Sequence, residues 1–245
     1  RAKFDDEAMQ LSLTYFAVTN NKPAFAIESS KNLSSLSQKV FYHLLAIEEF
    51  MNIMGIDFTR EFDLSVENID TLLQENGELA INDNIFIDLK NIKKHLSYVP
   101  IKSKDNEFVF SHPLGTVEKE GNSFGVYIGN KKLTTLYPQY FKLSNSCGDT
   151  FDVIVDGKKT TFNKSSDIMV DKDFTIVKRN DCRVNVIGFK PKHSDEEEGV
   201  NITLKDFDKR FSIDTENRVY RIEFYKNGEF CYMSKVAFKK DIKNE

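Results

Sequence analysis

The chain has 245 residues, which is enough for two or three domains of about 100–150 residues each. Hydrophobic residues make up 40% of the chain and charged residues 29%, a balance typical of a globular protein with a packed core. The formal net charge of -4 argues against a nucleic-acid-binding surface, because such surfaces carry a basic stripe. No apolar run reaches the roughly 18 residues of a membrane-spanning helix, so we expect no membrane span.

The start of the chain and its cysteines limit the possible cellular context. The chain begins at Arg1 and shows no signal peptide, so we expect either that a leader and further residues were removed upstream or that the sequence is part of a longer chain. Cys147, Cys182 and Cys231 are widely spaced and odd in number. Their spacing matches no zinc motif and allows at most one disulfide, so we expect buried free thiols.

The first third of the chain has an α/β pattern. Residues 5–19 are apolar at crowded helical spacing, which predicts a mostly buried helix with acidic residues 5–7 in its first turn. The Asn-Asn-Lys-Pro run at 20–23 ends this helix. Residues 24–27 form a short apolar run that predicts a buried central strand, and the chain turns abruptly polar at Glu28.

A long helix is predicted after this polar loop. Ser34, Ser35 or Ser37 can cap it, and it runs to about Met54 before Gly55 stops it. The order helix, buried strand, loop, long helix indicates a fragment of a sheet covered on both faces. Because one strand cannot form a sheet, the partner strands must lie upstream of Arg1.

After about residue 62 the pattern becomes mostly β. A short helix is predicted at 65–76, with Ser65 as its cap and Gly77 as its stop. Short apolar runs separated by turn residues follow, with a clear hairpin signal at Asn227-Gly228. They lie at residues 84–89, 108–110, 125–128, 151–155, 160–162, 174–177, 184–189, 201–204, 219–224 and 230–233. This spacing predicts two β-sandwiches of about 80–100 residues each.

The predicted domain boundaries follow from these changes in pattern. Residues 1–62 form the α/β part, 63–145 the first β domain and 146–245 the second, with 143–148 as the connecting segment. The acidic run at 195–198, together with His193, reads as a solvated loop, with a cation site as the alternative.

Glu28 is the residue whose position most suggests chemistry. It stands at the carboxyl end of the predicted buried strand, where ligands bind in α/β sheets. Partial burial there would raise the pKa of the carboxyl group toward the range of a general base. The alternatives are a carboxylate that caps a helix or one that forms a structural ion pair.

Two short segments resemble the end of the catalytic domain of funnelin-type zinc metallocarboxypeptidases. They are Leu13-Thr14-Tyr15-Phe16 and Ala24-Phe25-Ala26-Ile27-Glu28-Ser29-Ser30-Lys31. The resemblance is greatest to the cell-shape carboxypeptidases that trim peptidoglycan stem peptides in helical Gram-negative bacteria. It implies the C-terminal part of a mixed α/β catalytic sheet with helices, followed by two all-β immunoglobulin-like sandwich domains. The motifs cover about twenty residues, whereas the order of the elements matches along the whole chain.

The resemblance also implies roles for particular residues. Glu28 would be the general base and acid, taking a proton from zinc-bound water and passing it to the leaving amine. Thr14, Ser29 and Lys31 would lie along the substrate cleft, with Lys31 meeting a substrate carboxylate or pairing with Glu28. A packed helix threonine and a solvated lysine are the plain alternatives for Thr14 and Lys31.

The chain departs from the family pattern at the metal. The family uses a His-x-x-Glu-like pair and a later histidine, all placed before the catalytic glutamate. Here His43, His95, His112 and His193 all follow Glu28, and none of the first three has a glutamate three residues later. His43 reads as a packing or surface residue, and His112 as part of a turn. We therefore expect the zinc ligands upstream of this segment. Digestive members hold the terminal carboxylate of the substrate with a tyrosine placed before the glutamate, and residues 4–7 offer no such tyrosine. We therefore expect this protein to recognise the substrate carboxylate differently.

The resulting functional prediction is a periplasmic enzyme. It would remove the terminal meso-diaminopimelate from a peptidoglycan tripeptide stem, leaving a dipeptide, and so affect helical cell shape. The β domains would orient the catalytic domain or bind protein partners. The alternatives are a non-catalytic peptidoglycan-binding or scaffold module built on β-sandwiches, with Glu28 structural, and an inactive relative that still binds peptide.

Overall fold

The structure, a computed structural model, describes residues 7–191 and 197–240. It divides into two compact units, Arg1–Glu75 and Asn76–Glu245, named here the helical unit and the β unit. The predictions for residues 5 and 6, for His193 and for residues 195 and 196 lie outside the described residues. None of the described helices combines the length and apolar character needed to cross a membrane.

The helical unit has four described helices. They are α1 (Glu7–Gln10), α2 (Leu13–Thr19), α3 (Leu36–Ile53) and α4 (Val66–Gln74). The prediction of one continuous helix over 5–19 is wrong, because Ser12 starts a new helix. Its hydroxyl donates to the Met9 carbonyl at 2.7 Å and accepts from the Tyr15 backbone N–H at 3.1 Å. A serine that binds nearby backbone groups in this way competes with helix continuation.

The later helix ends follow the local sequence. The Ser35 hydroxyl caps α3 by accepting from the Gln38 backbone N–H, and Gly55 follows the helix with φ +67°. Ser65 caps α4 in the same way, by accepting from the Asn68 backbone N–H. The predicted caps of both helices and the stop of α3 at Gly55 are confirmed, whereas α4 ends at Gln74, before the predicted stop at Gly77.

The predicted buried strand at 24–27 is not formed. Residues 22–30 have no regular secondary structure, and the described part of the helical unit contains no strand. A strand is stable only beside a hydrogen-bonding neighbour, and these residues offer none. The segment is held instead by Phe25, whose ring stacks on that of Phe50 in α3 at 4.2 Å between ring centres.

The helical unit buries few of its described side chains. Only Ser37 and Ile69 are buried, whereas Leu11 and Leu13 are 91% and 87% exposed and Phe16 is 66% exposed. Amphipathic helices bury their apolar stripe against another layer of structure. These helices therefore present apolar faces that the described part of the unit does not cover.

The described residues of the β unit form fifteen strands in four sheets. The strands are β1 (Glu78–Ile81), β2 (Ile85–Asp88), β3 (His95–Ile101), β4 (Phe108–Phe110), β5 (Gly115–Glu120), β6 (Ser123–Ile128), β7 (Lys131–Tyr140), β8 (Thr150–Val155), β9 (Lys158–Asn163), β10 (Asp167–Val170), β11 (Asp173–Ile176), β12 (Arg183–Val186), β13 (Ile202–Thr203), β14 (Val219–Lys226) and β15 (Glu229–Phe238). The sheet orders are β2-β1-β4, β3-β7-β6-β5, β13-β11-β8-β9 and β10-β15-β14-β12. Most neighbours are antiparallel, but β3 with β7 and β10 with β15 run parallel.

Tight turns join the antiparallel neighbours where the sequence predicts them. At the turn between β14 and β15, Asn227 has φ 52° and Gly228 has φ 79°. Asp156 and Gly157, between β8 and β9, have φ 49° and 81°. Two successive positive φ values define a type I′ turn, whose twist matches that of the flanking strands. The predicted C-terminal hairpin is confirmed.

This hairpin supplies side chains to two hydrophobic cores. Phe224 and Tyr232 belong to a core built mainly from residues 147–238, and Phe230 and Met233 to another built mainly from residues 79–136. Alternate residues of a strand face opposite sides of a sheet, so both faces of the β14–β15 pair are buried. The predicted division into 63–145 and 146–245, and the immunoglobulin-like character of each part, stay predictions.

Candidate active site

Glu28 lies in the irregular segment between α2 and α3 and is exposed. Among the described residues, no hydrogen bond or ion pair engages its carboxylate. The helix that follows is capped by Ser35, so Glu28 is not its cap. The described contacts therefore show neither of the two structural roles considered for this carboxylate, a helix cap or an ion pair. The buried strand at whose end Glu28 was expected is also not formed.

The other predicted site residues lie before and after Glu28 in the sequence. Thr14 is half-buried in α2, Ser29 is half-buried, and Lys31 is exposed at a turn. Within the described residues, no hydrogen bond or ion pair joins any of the three to Glu28. The turn itself is closed by the Ser30 hydroxyl, which accepts from the Asn32 backbone N–H at 3.2 Å.

The donor groups near Glu28 do not fit a catalytic zinc ion. Between residues 7 and 75 the only histidine is His43, which lies within α3 and has a buried Nε2 atom with no hydrogen-bond partner. A catalytic zinc site needs three protein ligands, and the described residues of the helical unit bring no such group together. That the zinc ligands lie outside this segment stays a prediction.

Sequence reasoning missed a cluster of three cysteines in the β unit. The sulfur atoms of Cys147, Cys182 and Cys231 all lie within 4.8 Å of one another and are buried. The structure places the Cys147 sulfur in pairing position with both of the others, and because a sulfur atom holds one disulfide at a time, one pair is bonded and the third cysteine is a thiol. The prediction of three free thiols is therefore wrong, whereas the limit of one disulfide holds. The sequence spacing carries no signal for this cluster, because the three residues meet only when distant strands pack together.

A buried charged pair on β14 also escaped the sequence analysis. Arg221 donates to the backbone carbonyls of Ser97 and Tyr98 at 2.9 and 3.1 Å, and its guanidinium lies 3.3 Å from the Glu223 carboxylate. Tyr225 donates to the other Glu223 oxygen at 2.6 Å. Burial raises the pKa of Glu223, and the neighbouring Arg221 and Tyr225 partly offset that effect. The alternating charged residues of β14 were the available signal.

Comparisons with known proteins identify the family. The family described as "Carboxypeptidase controlling helical cell shape catalytic" matches residues 1–74, and the one described as "C-terminal domain of metallo-carboxypeptidase" matches residues 144–239. The chain belongs to the cell-shape metallocarboxypeptidases. The predicted resemblance is confirmed. No curated protein sequence matches the chain.

Solved structures of a cell-shape metallocarboxypeptidase match almost the whole chain. The apo form of Csd4 from Helicobacter pylori is 33% identical, with a TM-score of 0.77, and the match covers 96% of this chain and 57% of Csd4. The mDAP-bound form, called a D,L-carboxypeptidase, is 34% identical, with a TM-score of 0.75 over 94% and 57% of the two chains. The tripeptide-bound form is 34% identical, with a TM-score of 0.76 over 94% and 56%. The chain thus spans a little over half the length of these relatives.

Proposed function

We propose that the protein containing this chain is a zinc carboxypeptidase that removes the terminal meso-diaminopimelate from peptidoglycan tripeptide stems. The product is a dipeptide stem, and the trimming affects helical cell shape. Membership in the cell-shape metallocarboxypeptidases supports this proposal, as do the mDAP-bound and tripeptide-bound structures of Csd4. Such a substrate places the protein in the periplasm.

The observation that carries the proposal is the position and isolation of Glu28. It lies within the residues that match the catalytic family, in the loop before a long capped helix, and no described residue uses its carboxylate structurally. A carboxylate with no structural partner is free for proton transfer. We therefore assign it the role of general base and acid.

The proposed chemistry at Glu28 is a two-step proton transfer. Its carboxylate oxygen takes a proton from the attacking water and then gives that proton to the leaving amine nitrogen, which lets the product amine depart neutral. Lys31 is proposed to meet a carboxylate of the stem peptide, and Thr14 and Ser29 to contact its backbone. The zinc ligands and the strands that would flank residues 24–27 are proposed to come from another part of the full-length protein.

The test replaces Glu28 with Gln in the full-length protein and follows tripeptide muropeptides by liquid chromatography and mass spectrometry. Loss of the base is expected to lower kcat by about 10²–10⁴-fold with little change in zinc content or thermal unfolding. Glu49→Gln is the matched control, since Glu49 is an exposed carboxylate on α3 of the same unit. Near-normal turnover by Glu28→Gln would refute the assignment.

The second candidate is a peptidoglycan-binding or scaffold module without catalysis. It is favoured by the exposure of Glu28 and by the absence of a zinc donor set among the described residues of the helical unit. The two predicted immunoglobulin-like domains would then bind peptidoglycan or protein partners. Full-length protein that binds muropeptides but leaves both wild-type and Glu28→Gln reactions uncleaved would support this candidate over the enzyme.

A further inference from the structure

Three cysteines from distant parts of the β unit meet in one place. Cys147 precedes β8, Cys182 precedes β12, and Cys231 lies within β15. Cys147 is separated by 35 residues from Cys182 and by 84 residues from Cys231. Their side chains belong to the core that also contains Phe151, so reagents reach them slowly while the protein is folded.

The backbone allows Cys147 to pair with either of the other two. Its Cα atom lies 5.7 Å from that of Cys182 and 6.1 Å from that of Cys231. Both separations fall within the roughly 4.4–6.8 Å found for disulfides. A sulfur atom holds one disulfide at a time, so the two pairings are alternatives and each leaves the third cysteine as a thiol in contact with the bond.

Hydrogen bonds hold the Cys147 segment toward both partners. On the Cys231 side, the Phe230 backbone N–H donates to the Lys142 carbonyl, and the Ser144 N–H donates to the Phe230 carbonyl, both at 2.9 Å. On the Cys182 side, the Gly148 N–H donates to the Asp181 carboxylate at 3.4 Å. Neither set displaces the other, so the Cys147 segment is positioned for either disulfide.

Arg179 links the neighbours of the two competing cysteines. Its guanidinium donates two bonds of 2.6 Å to Asp181, which precedes Cys182, and one of 3.2 Å to the hydroxyl of Tyr232, which follows Cys231. These bonds link the residues next to Cys182 and Cys231, and the three sulfur atoms lie within 4.8 Å of one another. The third thiol therefore stays close to the disulfide in either pairing.

A metal ion is the competing occupant for three thiols. Three thiolates with one divalent ion leave one net negative charge in a hydrophobic core, and the nearby Arg179 already pairs with Asp181. Within the part of the chain that the structure describes, no histidine or carboxylate joins the group as a fourth ligand, which a closed structural zinc site needs. A disulfide with a neutral thiol carries no such charge, so the surroundings favour it over the metal.

We propose that Cys147 is the shared member of two interchanging disulfides, one with Cys182 and one with Cys231. An external disulfide, such as oxidised glutathione or a thiol–disulfide oxidoreductase, makes the first bond by accepting two electrons and two protons from two thiols. In the exchange, the Cys231 thiolate attacks the Cys147 sulfur and displaces Cys182 as a thiolate, which takes up the proton that Cys231 released. One S–S bond forms as another breaks, so the exchange needs no further oxidant. The result is a redox-responsive modification site that ties the 141–149 segment to either of two strands.

The test maps the disulfides of the full-length protein. The protein is equilibrated with mixtures of reduced and oxidised glutathione, quenched in acid, alkylated with N-ethylmaleimide under denaturing acidic conditions and digested with trypsin. The three cysteines fall on separate tryptic peptides, 143–158, 180–183 and 227–235. Mass spectrometry is expected to find 143–158 cross-linked to each of the other two, with the remaining cysteine alkylated in each form.

Cysteine-to-serine variants provide the matched controls. Cys182→Ser is expected to give only the Cys147–Cys231 bond, Cys231→Ser only the Cys147–Cys182 bond, and Cys147→Ser two alkylated thiols with no cross-link. A single pairing at every glutathione ratio overturns the proposal, and so does a cross-link between peptides 180–183 and 227–235. Three reduced cysteines with a bound metal equivalent that Cys147→Ser loses would make the cluster a metal site instead.

Discussion

The buried pair on β14 yields the sharpest stability prediction. The side chains of Arg221 and Glu223 are 5% and 3% exposed, and Arg221 also carries the two bonds to the carbonyls of Ser97 and Tyr98 on β3. Replacing Arg221 with Met keeps the length and apolar stem of the side chain but removes all of its donors. The substitution leaves two carbonyl oxygens without these donors and a buried carboxyl group without its cation.

The expected cost is about 3–5 kcal/mol of unfolding free energy, the usual effect of removing one partner of a buried ion pair. Arg221 opposes the rise that burial causes in the pKa of Glu223, so its loss raises that pKa further. The carboxyl group can then remain protonated, which limits the loss at acidic pH and enlarges it at alkaline pH. The double variant Arg221→Met with Glu223→Gln is expected to recover part of the stability, since no charge remains buried.

Urea unfolding followed by tyrosine emission measures this effect. Seven of the nine tyrosines lie in the β unit and the chain has no tryptophan, so the signal reports mainly on that unit. Arg210→Met is the control. Arg210 and Arg221 both line a cavity of about 200 Å³, but Arg210 is exposed, pairs with Asp208 at the surface and lies over the ring of Phe211. The control is expected to unfold nearly as the wild type does. If Arg221→Met lost less than about 1 kcal/mol, the pair would not be the buried linkage described above.

Three further predictions concern single residues. Burial raises the folded-state pKa of Glu223 above its ordinary 4.5. The stability that the protonated carboxyl group contributes is therefore present below pH 4.5 and is lost as the pH rises through the folded-state pKa. In urea unfolding, the stability of the wild type relative to Glu223→Gln should fall as the pH rises. Gly228→Ala should lower the thermal midpoint, because a residue with a Cβ atom loses about 1 kcal/mol in the left-handed conformation, and Gly228 has φ 79°. Asn227→Gly should not lower the midpoint, since glycine adopts positive φ readily. Ser35→Ala should cost about 1 kcal/mol in α3 and speed hydrogen exchange at the Gln38 amide; unchanged exchange would contradict the cap.

Local residue chemistry was enough to predict the helix ends and the tight turns. Ser35, Ser65, Gly55 and Asn227-Gly228 act through bonds or φ values within a few residues of themselves, so their effects are present in the sequence pattern. Glu28 was also proposed as a site residue in this way, from a change in pattern at the end of an apolar run. Its chemical surroundings were not predictable in the same manner, because burial at a sheet edge depends on neighbouring strands.

Long-range packing decided what the pattern left open. Residues 24–27 have the composition of a buried strand, yet they form none, since a strand exists only when another pairs with it. The β14–β15 hairpin could be predicted, but not that both of its faces would be buried in separate cores. The parallel pairing of β10 with β15 joins strands more than sixty residues apart and leaves no local mark.

The cysteines show most clearly where sequence information ends. Their number and their spacing limited the chain to one disulfide at a time, which follows from the valence of sulfur alone. Which sulfur atoms meet was decided by the packing of β15 beside the segments that precede β8 and β12. Spacing along a chain states how far apart residues can be, whereas only the folded backbone brings side chains separated by 35 and 84 positions into contact.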